Sequence, residues 1–379
     1  MFELNTDLYR NVLQFFEIND AKNFAIVSNE FLYQSKNYLG SMEPIFGKLK
    51  LWRKSFPNAI YANIEFRDDI TDEDFIYLKS IEKLDMSYCS RVTDAAFSHI
   101  KGIKELYMSN CNQITNNAFI HIKGIQKLCI RESCITDEAL VHLKGIQYLN
   151  MALTNITGNG FVHIEGIKTL IMCTCNNITG NGFVHIKGLQ YLDIANCKQI
   201  TNDSFVHLKG IKELNMNLCN QITNDAFVNL KRIQKLHMSR CHQITDIAFS
   251  HLKGIKELDM SNCKQITNAA FVHLKGIQKL NMSNCRQITD DAFIHLRGIQ
   301  DFDASHTKIT GKCFIHFEGI QKLKLRGCKY ITDDSLTYLK GVQDLNISLT
   351  NITDAGLVHI KDVKKLDLSQ CYNLTIWYE

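Results

Sequence analysis

The sequence predicts an α/β solenoid, with a curved parallel sheet inside, short helices outside and a small all-α unit at the amino terminus. A Thr that follows an aliphatic residue recurs from Thr71 to Thr375 in fourteen intervals, ten of 22 residues and four of 21. Around each Thr, an alternating stretch typical of a strand precedes a helical stretch. Residues 1 to about 45 lack this period and show two helical patterns. Self-similarity at such a fixed period is typical of a solenoid.

One repeat unit, Ile255 to Gly276, shows how the pattern predicts its elements. Leu258 and Met260 alternate with polar residues, which predicts a short strand with one apolar face. Thr267 is suited to cap a helix over the next eight residues. Gly276 stands where a left-handed cap would end that helix. Of the 20 Gly in the chain, 11 occupy this position, so most of the glycine is explained by turns.

The shared pattern of the units is Ile-x-x-Leu-x-Met-x-x-Cys-x-x-Ile-Thr-(Asp/Asn)-x-Ala-Phe-x-His-Leu-Lys-Gly. It resembles the leucine-rich repeat, in its cysteine-containing subclass, over about four fifths of the chain. The resemblance implies repeats over residues 81–379. Residues 46–80 are predicted to be a connector and an amino-terminal solenoid cap, with Leu51 to Arg53 in the connector and an irregular first strand at Ile64 to Phe66.

The cysteines follow the repeat. Ten of the 14 Cys lie four residues before the recurrent Thr. In the 21-residue units a hydroxyl residue stands three before the Thr instead, at Ser133, Thr154, Thr307 and Thr350. We interpret this position as a small buried donor that bonds neighbouring backbone. Zinc binding or a disulfide ladder is the alternative, but no unit has a Cys-x-x-Cys pair. The sequence therefore predicts no metal and no cofactor.

Histidine is also periodic, with 11 of 14 His six residues after the Thr. Each unit supplies one His, and packed helices lie ~8–10 Å apart, too far for the rings to share a metal. We interpret this row as a duplicated residue of the convex face that flanks the core.

Composition and charge exclude several classes of function. The net charge of +4 is too small to indicate nucleic acid as the main partner, and no membrane span or signal peptide is recognisable. The 14 Cys without a secretion signal favour a cytoplasmic or nuclear protein. Phosphate-binding, metalloprotease and hydrolase motifs are absent from the sequence, so we expect no catalytic residues and no enzyme. We expect a monomer outside its complexes.

The amino-terminal segment, residues 1–45, carries a functional signal. Its spacing of Leu4, Asp7, Leu8 and Val12, continuing to Phe31, resembles the F-box, although Asn5 replaces the Pro that usually follows the first Leu. F-box modules dock on the adaptor subunit of cullin-RING ubiquitin ligases. The resemblance implies that the following residues bind the adaptor: Leu4, Leu8, Val12, Leu13, Phe16, Phe24 and Val27.

The concave sheet face is predicted to bind the target, because its residues vary while the framework repeats. The central variable positions are Asp85, Tyr107, Cys129, Asn150, Ile171, Asp193, Asn215, His237, Asp259, Asn281, Asp303, Lys324, Asn346 and Asp367. Large planar side chains contribute disproportionately to interfaces, so one candidate patch consists of Tyr107, Arg131, Tyr148 and Tyr191. A second, basic patch consists of Lys322, Lys324 and Arg326 and is suited to an acidic segment or a phosphate. The candidate target-binding residues are Tyr107, Arg131, Tyr148, Tyr191, His237, Arg240, Lys322, Lys324 and Arg326.

Two functions remain open from the sequence. One is a non-catalytic substrate receptor of an SCF-type ubiquitin ligase, in which the amino-terminal helices bind the ligase adaptor and the concave face binds a protein target. The other is an interaction scaffold whose amino-terminal helices only cap the solenoid. The two differ in whether the apolar residues of the segment are exposed or buried.

Overall fold

The computed structural model describes residues 49–317 and 319–375. The predicted amino-terminal helices and all seven candidate adaptor-binding residues lie outside this part of the chain. The chain divides into two compact units, Met1–Ile171 and Met172–Glu379, which are called unit 1 and unit 2.

Short strands of three residues recur once per repeat, and within each unit every strand pairs in parallel with its neighbour in sequence. The middle residue of each strand is an aliphatic or aromatic core residue in register with those of the adjacent strands. In unit 1 the strands are β1 Tyr61–Asn63, β2 Lys83–Asp85, β3 Glu105–Tyr107, β4 Lys127–Cys129, β5 Tyr148–Asn150 and β6 Thr169–Ile171. In unit 2 they are β7 Tyr191–Asp193, β8 Glu213–Asn215, β9 Lys235–His237, β10 Glu257–Asp259, β11 Lys279–Asn281, β12 Asp301–Asp303, β13 Lys322–Lys324, β14 Asp344–Asn346 and β15 Lys365–Asp367.

The helices between the strands are mostly 3₁₀ helices of five to seven residues. The stretch between the Thr and the left-handed Gly of a coil is too short for several α-helical turns. Short helices of this kind commonly adopt 3₁₀ geometry. The 3₁₀ helices are Asp72–Leu78, Asp94–His99, Asn116–His121, Asp137–His142, Asn159–Ile164, Gly180–His185, Asn202–Leu208, Asn224–Asn229, Asp246–His251, Asn268–His273, Asp290–His295, Lys312–His316 and Asp333–Leu339. Two described helices are α-helical, α1 Leu49–Ser55 and α2 Asp354–Leu357. The predicted architecture of parallel strands and short helices is confirmed.

The core lies between the strands and the helices. The side chains at the core positions of the repeat are buried, for example Leu258, Met260 and Phe271. Edge-to-face ring contacts join successive coils in part of unit 2, with the centroids of Phe271 and Phe293 5.6 Å apart. Full burial of each such side chain contributes ~1.5–3 kcal/mol, so the repeated core positions dominate the stability.

The amino-terminal end of the described solenoid is held by α1. Its Arg53 donates from Nε to the carbonyl of Tyr77 at 2.7 Å and from the guanidinium to the carbonyls of Ala59 and Lys79, both at 3.1 Å. One helical residue thereby ties α1 to the first coil.

The first strand lies at Tyr61–Asn63, so the prediction of a strand at Ile64 to Phe66 is wrong. The Asn63 side chain accepts the N–H of Glu65 at 2.9 Å, which turns the chain. Phe66 then adopts a left-handed conformation with φ of 60°. This turn ends the strand before the predicted residues.

The recurrent Thr links each coil to the preceding one. Thr267 donates its backbone N–H and its Oγ1–H to the Asp246 carboxylate at 2.8 and 2.6 Å. Thr93 bonds Asp72 in the same way. For Thr223 and Thr245 the acceptor in the preceding coil is an Asn instead of an Asp. The predicted role as a helix N-cap is minor, because where the Thr Oγ1 accepts the N–H two residues on, the distance is long, 3.3 Å at Thr267.

The cysteines bond backbone, as predicted, and no disulfide is formed among the described residues. The Cys285 thiol donates to the Met260 carbonyl of the preceding coil at 3.1 Å, and the Cys263 N–H donates to the same carbonyl at 3.2 Å. In a 21-residue coil, the hydroxyl residue three before the Thr replaces the Cys N–H as the second donor to the equivalent carbonyl. Thr307 Oγ1, for example, donates to the Ala304 carbonyl at 2.6 Å. Deletion of one residue therefore leaves this carbonyl satisfied.

All 11 of these Gly are left-handed, as predicted, with φ between 80° and 93°. In the unit of Gly276 the helix already ends at His273 with Leu274 as its C-cap, so the prediction that Gly276 caps the helix is wrong and this Gly forms the turn that follows. A Cβ at Gly276 would meet nothing within 4 Å, so backbone conformation rather than space selects Gly there. Among the residues that the structure describes, no helix combines the length and apolar character needed to cross a lipid bilayer.

We predict that Asp246→Ala lowers the free energy of unfolding by about 1–2 kcal/mol, because Thr267 loses the acceptor for both of its donors. The measurement is a urea titration followed by far-UV circular dichroism. The control is Asp291→Ala, which removes an exposed carboxylate that makes no hydrogen bond or ion pair with a described residue. Equal urea midpoints for the two variants would contradict the role of the Thr–Asp link.

We predict that the Cys thiols of the repeat pattern, which lie four residues before the recurrent Thr, resist alkylation in the folded protein. Burial raises the pKa of Cys111 and of Cys263 to about 11, which lowers the thiolate population near pH 8 by roughly two orders of magnitude. Cys134 is exposed and should react first. The measurement is intact mass against time with iodoacetamide. Cys134→Ser should remove the fast adduct, and rapid labelling of many thiols in that variant would contradict the buried framework.

Candidate protein-binding surface

The solvent-facing side of the sheet consists of two rows, because the first and third residues of each strand point away from the buried middle residue. The two rows are called the first row and the third row. The third row contains the central variable residues of the sequence analysis. The structure shows that these residues do not all serve the same purpose.

Most third-row residues stabilise the turn that follows their own strand. In ten strands an Asp or Asn accepts the backbone N–H two residues on, at 2.9 to 3.2 Å. This is the Asx turn, in which a side chain takes the place of a backbone acceptor. These ten residues are Asn63, Asp85, Asn150, Asp193, Asn215, Asp259, Asn281, Asp303, Asn346 and Asp367. Their presence is explained by the fold.

Five third-row positions lack an Asx side chain: Tyr107, Cys129, Ile171, His237 and Lys324. Three of these, Tyr107, His237 and Lys324, are among the predicted target-binding residues. Local turn stability does not account for these side chains. They are therefore the third-row positions at which a requirement other than the fold is indicated.

Tyrosines and lysines alternate across the sheet of unit 1. Lys83 Nζ lies 5.1 Å from the ring centroid of Tyr61, and Lys127 Nζ lies 5.4 Å and 5.0 Å from those of Tyr107 and Tyr148. We call these five residues the tyrosine–lysine surface. Cation–π contacts of this length hold the rings and ammonium groups in fixed positions. The hydrogen bond to Tyr107 raises the pKa of Lys127, so this lysine keeps its charge.

The sheet rim of unit 1 carries a further aromatic pair. Phe66 and Tyr88 stack with centroids 4.6 Å apart and planes 13° from parallel. Both are left-handed, a conformation that bulky residues adopt at an energetic cost, and Phe66 is 66% exposed. Asn occupies the same position at Asn110, where the conformation is less costly. The equivalent position is left-handed in other coils as well, for example at Leu153 and Leu218, so this conformation belongs to the repeat, and the stacked, exposed rings are what make the pair a candidate contact area.

Arg131 belongs to unit 1 with Tyr107 and Tyr148, but its guanidinium forms an ion pair with the adjacent Glu132 at 2.9 Å. Both side chains are more than a third exposed, so the pair contributes little stability. Cys129, in the third row next to Tyr107, contacts the Ser109 hydroxyl at 3.3 Å. Arg131 extends the tyrosine–lysine surface toward the ends of the strands, whereas Cys129 is buried.

The remaining candidates lie in unit 2. Tyr191 is in the first row of β7 and His237 in the third row of β9, while Arg240 is exposed in the following left-handed turn. The basic patch of Lys322, Lys324 and Arg326 lies among acids and hydroxyls.

Lys324 Nζ is 4.0 Å from Asp303, and Arg326 donates to the Ser348 hydroxyl at 2.9 Å. Lys322 lies between Asp301 and Asp344 of the adjacent strands in the first row. The neighbouring acids partly neutralise the predicted basic patch.

The first row of unit 2 alternates in charge over eight consecutive strands. Glu257 pairs with Lys235 at 3.5 Å and with Lys279 at 3.3 Å, and Asp344 pairs with Lys365 at 3.6 Å. The full row is Glu213, Lys235, Glu257, Lys279, Asp301, Lys322, Asp344 and Lys365. This side of the sheet is therefore self-neutralising, and no group of residues that could hold a metal is found among the described residues.

Sequence reasoning missed Tyr61, Lys83, Phe66 and Tyr88. Tyr61 and Phe66 lie before the first clear repeat, so the period did not place them on the sheet. The strand signal was nonetheless present in Ile81-Glu-Lys-Leu84-Asp-Met86, which follows the repeat pattern and puts Lys83 in the first row. Tyr107 and Tyr148, in contrast, were correctly placed on the sheet face.

Comparison with family models identifies the class of protein. The model for the BspA type leucine-rich repeat region matches in 6 copies over residues 68–190, 139–256 and 176–300, and a second leucine-rich repeat model matches residues 342–361. The matches span more than half of the chain. The chain belongs to the leucine-rich repeat family, and the leucine-rich repeat prediction is confirmed. Its assignment to the cysteine-containing subclass stays a prediction.

Solved structures show the same fold. A chain of the Toll–Spatzle complex from Drosophila is 14% identical with a TM-score of 0.58, and the match covers 82% of this chain and 50% of that chain. A chain of the mouse RP105/MD-1 complex is 14% identical with a TM-score of 0.52, covering 81% and 69%. The chain thus spans half the length of the Toll complex chain. A search of curated proteins finds no matching relative.

The chain is a leucine-rich repeat protein. The structure adds which side chains its repeats present. The tyrosine–lysine surface of unit 1 is the arrangement best suited to bind a protein, because it combines rigid aromatic rings with charges that are only partly neutralised.

We predict that Lys324→Asn raises the free energy of unfolding by about 0.5–1 kcal/mol, because Asn would accept the N–H of Arg326 as Asn346 accepts that of Ser348. The measurement is the urea midpoint. Lys322→Asn is the control, since the first row makes no such turn bond. If the two variants have the same stability, Lys324 does not replace a turn-stabilising residue.

Proposed function

We propose that the protein is a non-catalytic substrate receptor of an SCF-type cullin-RING ubiquitin ligase. In this proposal residues 1–45 bind the ligase adaptor and the sheet face of unit 1 binds the protein target. The observation that carries the target-binding part is the tyrosine–lysine surface, whose central strands β3 and β4 depart from the Asx pattern at Tyr107 and Cys129. The F-box resemblance of residues 4–31 supports the adaptor-binding part.

The tyrosine–lysine surface has the features of an interaction hot spot. Tyr107 and Tyr148 present large side chains with few rotatable bonds, which lose little entropy on binding. Lys127 lies between them and is fixed by both rings. A target with an acidic or aromatic segment would find both complementary charge and stacking area there. The stacked Phe66 and Tyr88 extend the apolar area toward the strand ends.

The alternative is a scaffold whose amino-terminal helices only cap the solenoid. The contacts of α1 favour the receptor, because the first coil already has a helix that Arg53 ties to it by three backbone carbonyls. A second helical cap from residues 1–45 is therefore not required to hold that end of the solenoid. The proposal assigns the apolar residues of the F-box-like segment to the adaptor.

We predict that the full chain binds the purified ligase adaptor and that Leu8→Asp with Phe16→Asp abolishes the binding, since carboxylates would replace two of the predicted apolar contact residues. The measurement is isothermal titration calorimetry on the full chain. The expected loss of affinity is at least about 100-fold, as for removal of interface hot spots.

The matched control is Tyr107→Ala with Tyr148→Ala, which alters the tyrosine–lysine surface and should leave adaptor affinity unchanged. Far-UV circular dichroism and the thermal midpoint establish that each variant is folded. No adaptor binding by the folded, unmodified chain would contradict the receptor proposal and favour the scaffold. Loss of adaptor binding in the tyrosine variant would mean that the repeats, not residues 1–45, contact the adaptor.

A further inference from the structure

The helix side of unit 2 presents a row of exposed aliphatic side chains. One β-branched aliphatic residue, five after the Thr of its coil, recurs in five of six consecutive 3₁₀ helices and is between 38% and 55% exposed. The residues are Val184, Val206, Val228, Val272 and Ile294. In the remaining helix Ser250 holds this position and Ile247, in the same helix, is 71% exposed. An exposed aliphatic residue that recurs at the same position of successive coils gives this side of the unit a row of apolar contact points.

A row of basic residues follows three positions later in the same six coils. All six are exposed: Lys187, Lys209, Lys231, Lys253, Lys275 and Arg297. None of them forms an ion pair or a side-chain hydrogen bond with a described residue. We call the aliphatic row and the basic row together the basic–aliphatic strip.

The strip contrasts with the sheet side of the same unit. There Lys235, Lys279 and Lys365 are paired with carboxylates, so their charges are neutralised. The six cations of the strip, in contrast, form no ion pair with a described carboxylate. Unpaired charges of one sign attract a partner of the opposite sign and raise its local concentration.

Helix polarity explains only part of the strip. Cations favour the carboxyl end of a helix and carboxylates its first turn, and Asp203, Asp225 and Asp291 occupy first turns here. This preference accounts for a basic residue at the end of each helix. It gives no reason for a solvent-exposed Val or Ile beside it, in coil after coil.

The same two residue types recur along the strip, and this uniformity indicates the kind of partner. The sheet face changes from strand to strand, as recognition of one particular protein requires, whereas the strip repeats the same two residue types. A repeating surface suits a partner that is itself uniform, such as a lipid bilayer or a nucleic acid backbone. Lys side chains can contact the phosphates of either partner. The exposed Val and Ile side chains have an apolar region to enter in a bilayer, whereas a phosphate backbone offers them none.

We propose that the basic–aliphatic strip docks unit 2 on the surface of a bilayer that contains anionic lipids. The Lys side chains would contact the headgroup phosphates and carboxylates, and the Val and Ile side chains would contact the boundary of the acyl region. Peripheral proteins combine these two residue types for this purpose. The proposal departs from the expectation of no membrane partner, which rested on the net charge of the whole chain. It is independent of adaptor and target binding.

The test is flotation of the full chain with phosphatidylcholine vesicles, with and without about a third phosphatidylserine. We expect binding only to the anionic vesicles, and release as salt rises from about 0.1 M to about 0.5 M. Each Lys near an anionic surface accounts for a roughly five-fold change in partition. Lys231→Glu with Lys253→Glu should therefore weaken binding by roughly 25-fold or more.

Matched variants separate the strip from general charge. Lys322→Glu with Lys324→Glu makes the same change in net charge on the exposed sheet face and should leave vesicle binding unchanged. Val228→Ser with Val272→Ser keeps the charge and should weaken binding several-fold.

Three results would overturn the proposal. The first is no binding to anionic vesicles by the folded chain, and the second is an equal loss in the sheet-face control. The third is duplex DNA binding as strong as vesicle binding and unaffected by the Val substitutions, which would indicate a nucleic acid partner.

Discussion

The structure depends on hydrogen bonding from each coil to the next. A three-residue strand cannot satisfy its own backbone, so its N–H and C=O groups pair with the strands on either side. The Thr–Asp or Thr–Asn link and the Cys-to-carbonyl bond repeat this connection at two further points of the coil. The nearly constant period keeps all three in register. Every surface of the protein is therefore a set of rows, with one residue from each coil.

This arrangement separates the surfaces by function. In the third row, ten Asx residues stabilise turns and five others do not, so variation there has two distinct origins. The tyrosine–lysine surface includes the two strands in which Tyr107 and Cys129 occupy the third row in place of a turn-stabilising Asp or Asn. In unit 2 the first row neutralises itself, while the six cations of the basic–aliphatic strip form no ion pair with a described residue.

The sequence allowed much of this to be predicted, because the period itself encodes the fold. The left-handed Gly, the buried Cys and the sheet position of Tyr148 all follow from counting residues from the recurrent Thr. The partner of the Thr did not follow, since Asp246 is a neighbour of Thr267 only after the coils stack. Tyr61 lay before the recognisable repeats. Net charge concealed the strip, because a total of +4 carries no information on where opposite charges are paired.

The central claim is that the amino-terminal segment and the repeats bind different partners. Hydrogen–deuterium exchange of the full chain, alone and saturated with ligase adaptor, tests it most directly. The account predicts slower exchange within residues 1–45 and unchanged exchange in strands β3 and β5, which carry Tyr107 and Tyr148. Slower exchange in those strands, with residues 1–45 unaffected, would contradict it and would make the repeats the adaptor-binding surface.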